Sequence, residues 1–154
     1  MIHEVIDIPV KGSLDDSKLY TYFLDNSPEI DKDRVRPVIV ICPGGGYAMT
    51  SDREAEALAV QFMAMGYHAV ILRYSCKPAV YPTALLELAW VVKLLRENGE
   101  KWNIDTEKII IQGSSAGGHL AACMGVFWKE AFLADYLKTD GEQLRPSGLI
   151  LNYP

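Results

Sequence analysis

Apolar and polar positions along this chain change period in a repeating order. Val5 to Val10 and Leu19 to Leu24 have the short β-branched and aromatic runs of strands, and the turn-forming Lys11-Gly-Ser-Leu-Asp-Asp16 between them predicts an opening hairpin. After a polar loop from Asn26 to Asp33, Val38 to Cys42 is apolar at every position, as in a strand covered on both faces. The period then becomes helical. Ser51-Asp-Arg-Glu54 has the form of a capping box, and Ala55, Leu58, Ala59 and Phe62 share one helical face before Gly66. His68 to Tyr74 predicts the next strand, and a helix opening at Pro82 carries the stripe Leu85, Leu88, Val92 and Leu95 before Asn98-Gly99 ends it. Lys108 to Gln112 predicts a third buried strand, Ser115 to Trp128 a third helix, and Gly148 to Tyr153 a further strand.

Strand and helix alternating in this way predict an α/β fold, a mostly parallel sheet with helices on both faces. No repeat, low-complexity tract or linker divides residues 1–154, so one domain is expected. The strand ending at Tyr153 is expected to be the terminal one within residues 1–154, in a single incomplete domain that stops before the sheet's last strands. Its uncovered edge would then be a route to homo-oligomers.

Composition narrows the function classes. With 49% apolar and 23% charged residues the chain is neither disordered nor fibrous. Its 15 basic and 20 acidic side chains give a net charge of -5, and no basic cluster interleaves with aromatics, so nucleic acid is not an expected partner. Apolar stretches such as Leu85 to Leu95 contain Glu87 and Lys93 and fall short of the roughly 20 residues of a membrane span. Met1-Ile-His-Glu-Val-Ile-Asp lacks the pattern of a secretory signal, and a cytoplasmic location is the expectation. Cys42, Cys76 and Cys123 suit neither a disulfide framework nor a zinc site, and are expected to be buried thiols.

Candidate chemistry lies at the ends of two predicted strands. Gly113-Ser-Ser-Ala-Gly117 fits G-x-S-x-G between a buried strand and a helix, the setting of a nucleophile elbow. Small residues on either side let strand and helix approach closely, and Ser115 then sits at a helix N-terminus where free N–H groups favour negative charge. Ala116 would supply one oxyanion N–H. Read blandly, Ser115 is only a helix cap. The second motif, Cys42-Pro-Gly-Gly-Gly-Tyr47, also follows a buried strand and precedes a helix, where a glycine loop would supply the other oxyanion donor. Its alternatives are a flexible connection or a phosphate cradle, but neither G-x-x-x-x-G-K-[ST] nor G-x-G-x-x-G is present. No metal or cofactor is expected.

These residues carry a resemblance. Pro43-Gly-Gly-Gly-Tyr47, Leu72-Arg-Tyr74, Tyr81-Pro-Thr-Ala-Leu85, Trp102-Asn-Ile-Asp105 and Gly113-Ser-Ser-Ala-Gly-Gly-His-Leu-Ala121 together resemble the N-terminal part of α/β-hydrolases of the esterase and lipase group. The likeness is close to small carbohydrate acetyl esterases and akin to hormone-sensitive-lipase-like enzymes. The resemblance implies a serine carboxylesterase acting on small acyl esters, with Ser115 as nucleophile, Gly45, Gly46 and Ala116 as oxyanion donors, and no cofactor. Tyr47 would line the substrate pocket or simply pack. Pro43 departs from the histidine that many relatives carry before the glycines.

The expected order of such a triad is Ser, then Asp or Glu, then His. After Ser115 the only histidine is His119, one helical turn on, and Glu130, Asp135, Asp140 and Glu142 are better read as solvating an amphipathic segment and a turn. In relatives the run containing His119 coexists with a separate catalytic histidine, which favours packing or hydrogen bonding for His119. The activating base is therefore expected outside residues 1–154, and this chain alone is expected to be inactive. The alternative is a truncated or degenerate hydrolase that binds without turnover.

Overall fold

A computed structural model describes residues 1–154. Six strands form one sheet: β1 (Val5–Asp7), β2 (Lys18–Tyr22), β3 (Arg36–Cys42), β4 (His68–Arg73), β5 (Ile104–Ser114) and β6 (Gly148–Asn152). Their spatial order is β1-β2-β4-β3-β5-β6. β1 and β2 form the predicted antiparallel hairpin, β2 runs antiparallel to β4, and the pairs β4–β3, β3–β5 and β5–β6 are parallel. The helices are α1 (Glu56–Ala64), α2 (Thr83–Glu97), α3 (Gly99–Trp102), α4 (Ala116–Phe127) and α5 (Ala131–Leu137). None is long and apolar enough to cross a membrane.

The period-2 geometry of strands explains why the central ones read as apolar throughout. Val38, Val40, Cys42, Ile109 and Ile111 face α2 and α4 in the larger core, while Ile39, Ile41, Ala69 and Ile71 face Ala55 and Ala59 beside α1. Each valine or isoleucine among them stabilises the fold by about 1.5–3 kcal/mol when fully buried. Burial on both faces leaves the strands little freedom to slip, because a one-residue shift would exchange the two sets. The registers Val40↔Ile111 and Cys42↔Gly113 thus bring the last residues of β3 and β5 side by side. Both chemical motifs leave the sheet from that point.

Several elements differ from the sequence reading. β1 is shorter than Val5 to Val10, since Ile8 and Val10 leave the ladder to enter the larger core. The Ser51–Glu54 capping box does not form: a 3-10 turn over Asp52–Glu54 precedes α1, and Ser51 makes no side-chain cap. Glu54 bonds elsewhere, to Gly44 and Tyr153. β5 begins four residues earlier than Lys108, at Ile104, because Ile104 pairs with Arg36 ahead of a bulge. Cys42 and Cys76 are buried as expected, but Cys123 is only half-buried. It packs at the margin of the larger core and also borders a cavity.

Two buried polar residues tie the strands to their surroundings. Glu87 of α2 accepts hydrogen bonds from Ser13 Oγ (2.6 Å), Ser75 N–H (2.7 Å) and Ser75 Oγ (2.5 Å), fastening the turn after β1 to the loop after β4. His68 is fully buried; its Nδ1 accepts from Leu24 N–H at 3.0 Å, and its Nε2 lies 3.2 Å from the Asn103 carbonyl. Those partners fit a neutral ring with its proton on Nε2. Desolvation by burial lowers its pKa to about 4. At the far side of the sheet, β6 is an edge strand as expected, with Leu149, Ile150 and Leu151 exposed at 37%, 39% and 40%.

Candidate active site

Ser115 lies between the end of β5 and the start of α4 with φ 53° and ψ -121°, a conformation that non-glycine residues rarely adopt. Strain of this sort costs on the order of 1–3 kcal/mol and persists only where the surroundings enforce it. Here they do. The Ser115 N–H donates to the Asn152 carbonyl at 2.9 Å, and the Ser115 carbonyl accepts from His119 N–H at 2.9 Å. Gly113 and Gly117 supply the close approach that the sequence predicted. A Cβ on Gly113 would lie 2.1 Å from the Gly117 carbonyl oxygen, and one on Gly117 would lie 2.0 Å from that of Cys42. Both obstacles are backbone, so no rotamer change relieves them.

The two adjacent serines diverge at this turn. Ser114 is buried, and its hydroxyl accepts from Gln112 Nε2 at 3.1 Å and from Asn152 Nδ2 at 3.5 Å. Ser115 is partly exposed, and no side chain of the chain hydrogen-bonds its hydroxyl. Ala116, the first residue of α4, has no carbonyl one turn earlier in the helix to receive its N–H.

Beside this turn runs the glycine loop. Gly45 (φ 143°), Gly46 (φ 63°) and Tyr47 (φ 56°) hold successive positive dihedrals. The Gly45 carbonyl accepts from Ala48 and Met49 N–H at 3.0 and 3.3 Å, which closes the loop on itself. A Cβ at Gly45 would fall 2.1 Å from the Met49 carbonyl oxygen, so glycine is required there. Arg73, at the end of β4, holds the return of the loop by donating to the Thr50 carbonyl at 3.0 Å and to Asp52 at 2.8 Å. Tyr74 Oη donates to the Pro43 carbonyl at 2.5 Å, which anchors the residue that precedes the glycines.

Tyr47 turns toward α4, where its hydroxyl and His119 Nδ1 share a hydrogen bond of 2.8 Å. Burial raises the Tyr47 pKa to about 12, so it remains a neutral phenol. Cys123 Sγ lies 3.8 Å from both His119 ring nitrogens. Tyr47, His119 and Cys123 form one wall of a cavity of about 280 Å³ whose other walls include Val80, Tyr81 and Leu85. His119 is thus engaged with Tyr47 and Cys123, and makes no side-chain bond to Ser115.

Ser115, Ala116, Gly45, Gly46 and Tyr47 therefore gather at the C-terminal ends of β3 and β5. Sequence reasoning missed Glu54, Asn152 and Tyr153. The only signal for Glu54 was its capping-box spacing, which pointed to another role; Asn152 meets Ser115 through its backbone carbonyl, a contact that leaves no mark in side-chain identity.

Comparison with known proteins gives the family and the fold. The BD-FAE family matches residues 26–146. An endo-1,4-beta-xylanase B from Butyrivibrio fibrisolvens is 32% identical over 128 residues, 79% of this chain and 20% of that protein. An acetylxylan esterase from Xylanibacter ruminicola is 29% identical over 119 residues, 75% of this chain and 22% of that one. Among solved structures, the carboxylesterase Cest-2923 from Lactobacillus plantarum superposes with a TM-score of 0.81 at 28% identity, covering 98% of this chain and 55% of its own. The fold is that of the α/β-hydrolases. The chain spans about a fifth of these two curated relatives and about half of the carboxylesterase.

Proposed function

The chain belongs to the BD-FAE family, and from that premise we propose that it supplies the nucleophile and oxyanion-binding half of a serine carboxylesterase acting on small acyl esters, O-acetyl groups of sugars among them. The observation that carries this reading is Ser115, held at φ 53° at a helix N-terminus with its hydroxyl unbonded to the chain. In the reaction, Ser115 Oγ attacks the ester carbonyl and the developing oxyanion is received by the N–H groups of Ala116, Gly45 and Gly46. The alcohol then leaves, and water releases the acyl group from the serine. Tyr47 and the neighbouring cavity would seat one of the two ester substituents. The acetylxylan esterase relative is named for acetyl esters of a glycan, which supports the same substrate class.

A serine hydroxyl needs a base to act at neutral pH. His119 shares its Nδ1 with Tyr47, and its ring is not bonded to Ser115. The base and its orienting acid are accordingly assigned to sequence outside residues 1–154. The β6 edge, with its three partly exposed apolar residues, supports self-association of the 154-residue chain, and a monomer in sedimentation equilibrium would remove that part of the reading.

Hydrolysis of p-nitrophenyl acetate tests the division of labour. The 154-residue chain should show no rate above its Ser115→Ala variant, whereas protein that includes any coding sequence following Pro154 should show a Ser115-dependent rate. A fast rate from the short chain that vanishes in His119→Ala would transfer the base role to His119. No Ser115-dependent rate in either form would leave a binding protein.

A further inference from the structure

We infer that Glu54 is a positioning residue that clamps the glycine loop against the Ser115 turn, so that Gly45 and Gly46, but not Gly44, keep amides free for substrate; the inference rests on the esterase reading above. Glu54 Oε2 accepts the Gly44 N–H at 2.7 Å, and Oε1 accepts the Tyr153 hydroxyl. Gly44 is the loop residue that lies against the nucleophile turn. A Cβ there would be 2.7 Å from the Ser114 carbonyl oxygen and 3.0 Å from Ser115 Cβ. On its other side, the Gly44 carbonyl accepts from Ser51 N–H at 2.8 Å. Gly44 is thus bonded through both its backbone groups, while neither Gly45 N–H nor Gly46 N–H has an acceptor within the chain.

Tyr153 gives the clamp its second arm. It directly follows Asn152, whose carbonyl receives the Ser115 N–H. One carboxylate therefore joins the two backbone segments that flank the nucleophile, the glycine loop and the chain leaving β6. Glu54 is in no ion pair with Lys or Arg, and its two oxygens are spent on two neutral donors. A negative charge beside a developing oxyanion is repulsive in itself. The contribution of Glu54 is therefore geometric, and a neutral side chain of the same shape should replace it. In Glu54→Gln the amide oxygen can still accept from Gly44, and its NH2 can donate to the Tyr153 oxygen.

The test combines amide hydrogen exchange with kinetics on protein that includes any coding sequence following Pro154. A hydrogen bond to a carboxylate protects its donor, so Glu54→Ala should accelerate exchange at Gly44 by about tenfold or more, and Glu54→Gln should restore most of the protection. With p-nitrophenyl acetate, Glu54→Ala should lower kcat with KM little changed, because oxyanion contacts form only in the transition state, and Glu54→Gln should recover it. Should Glu54→Ala fail to fold, Tyr153→Phe takes its place: loss of one arm should give a smaller acceleration at Gly44. Unchanged Gly44 exchange in both Glu54→Ala and Tyr153→Phe overturns the proposal, as does a Glu54→Gln variant as impaired in kcat as Glu54→Ala. Exchange needs no turnover, so a Gly44 response in protein without Ser115 reactivity upholds the clamp and removes the esterase reading alone.

Discussion

The two turns that leave the sheet side by side, one after β5 and one after β3, reach unusual backbone conformations by different means. At the Ser115 turn the restraint is steric and local: Gly113 and Gly117 bring strand, helix and the end of β3 into contact distances that no side chain could share. At the glycine loop the close backbone contact at Gly45 is joined by restraints from side chains of other segments, Glu54 on Gly44, Tyr74 on Pro43 and Arg73 on Thr50. Its tip is open, with nothing within 4 Å of where a Cβ on Gly46 would stand. A nucleophile needs one fixed position, whereas oxyanion donors need amides that point into open space. The first turn is therefore expected to fail abruptly on substitution, and the glycine loop only by degrees at its open Gly46 tip.

Gly117→Ala should have the largest effect. Its Cβ would meet the Cys42 carbonyl at 2.0 Å and the Pro43 carbonyl at 2.6 Å, so stability should fall by about 3 kcal/mol or more, read as the urea midpoint. An unchanged midpoint would break the contrast between the turns. His68 tests the frame beneath both. Its folded pKa of about 4 lies below the ordinary 6.5, so the unfolded chain binds the proton more readily. The stability from the neutral ring is then fully present above pH 6.5 and is lost as pH falls from 6.5 toward 4. Since carboxylates titrate in the same range, the readout is the difference in Tm between the protein and His68→Gln, which should narrow across that window.

Smaller effects are expected at the open loop. Gly46→Ala should cost only about 1 kcal/mol, the penalty of a positive φ without a clash, in the same urea titration. Ser114→Ala should also cost about 1 kcal/mol, by removing the acceptor for Gln112 Nε2. It should leave Ser115 chemistry intact. A Gly46→Ala variant as damaged as Gly117→Ala would show that the two turns are held alike.

How far these features were legible in sequence follows from whether each is local. The strand-helix alternation, the apolar central strands, the opening hairpin and the elbow all announce themselves within a few residues, because period and small-residue spacing are local properties. The capping box did not survive because a carboxylate with two donors from distant segments, Gly44 and Tyr153, is better satisfied there than at a helix N-terminus. His68 read as an ordinary strand residue, since its burial depends on Leu24 and Asn103, which only the folded sheet brings to it. The pairing of His119 with Tyr47 links residues on different elements and had no local signal.

The central claim is that Ser115, and not its neighbour, is the nucleophile. Treatment with an alkyl fluorophosphonate and peptide mass spectrometry tests it directly, in protein that includes any coding sequence following Pro154. The account predicts one adduct on Ser115, retained in Ser114→Ala and absent from Ser115→Ala. Labelling that persists in Ser115→Ala, or an adduct on Ser114, would contradict it.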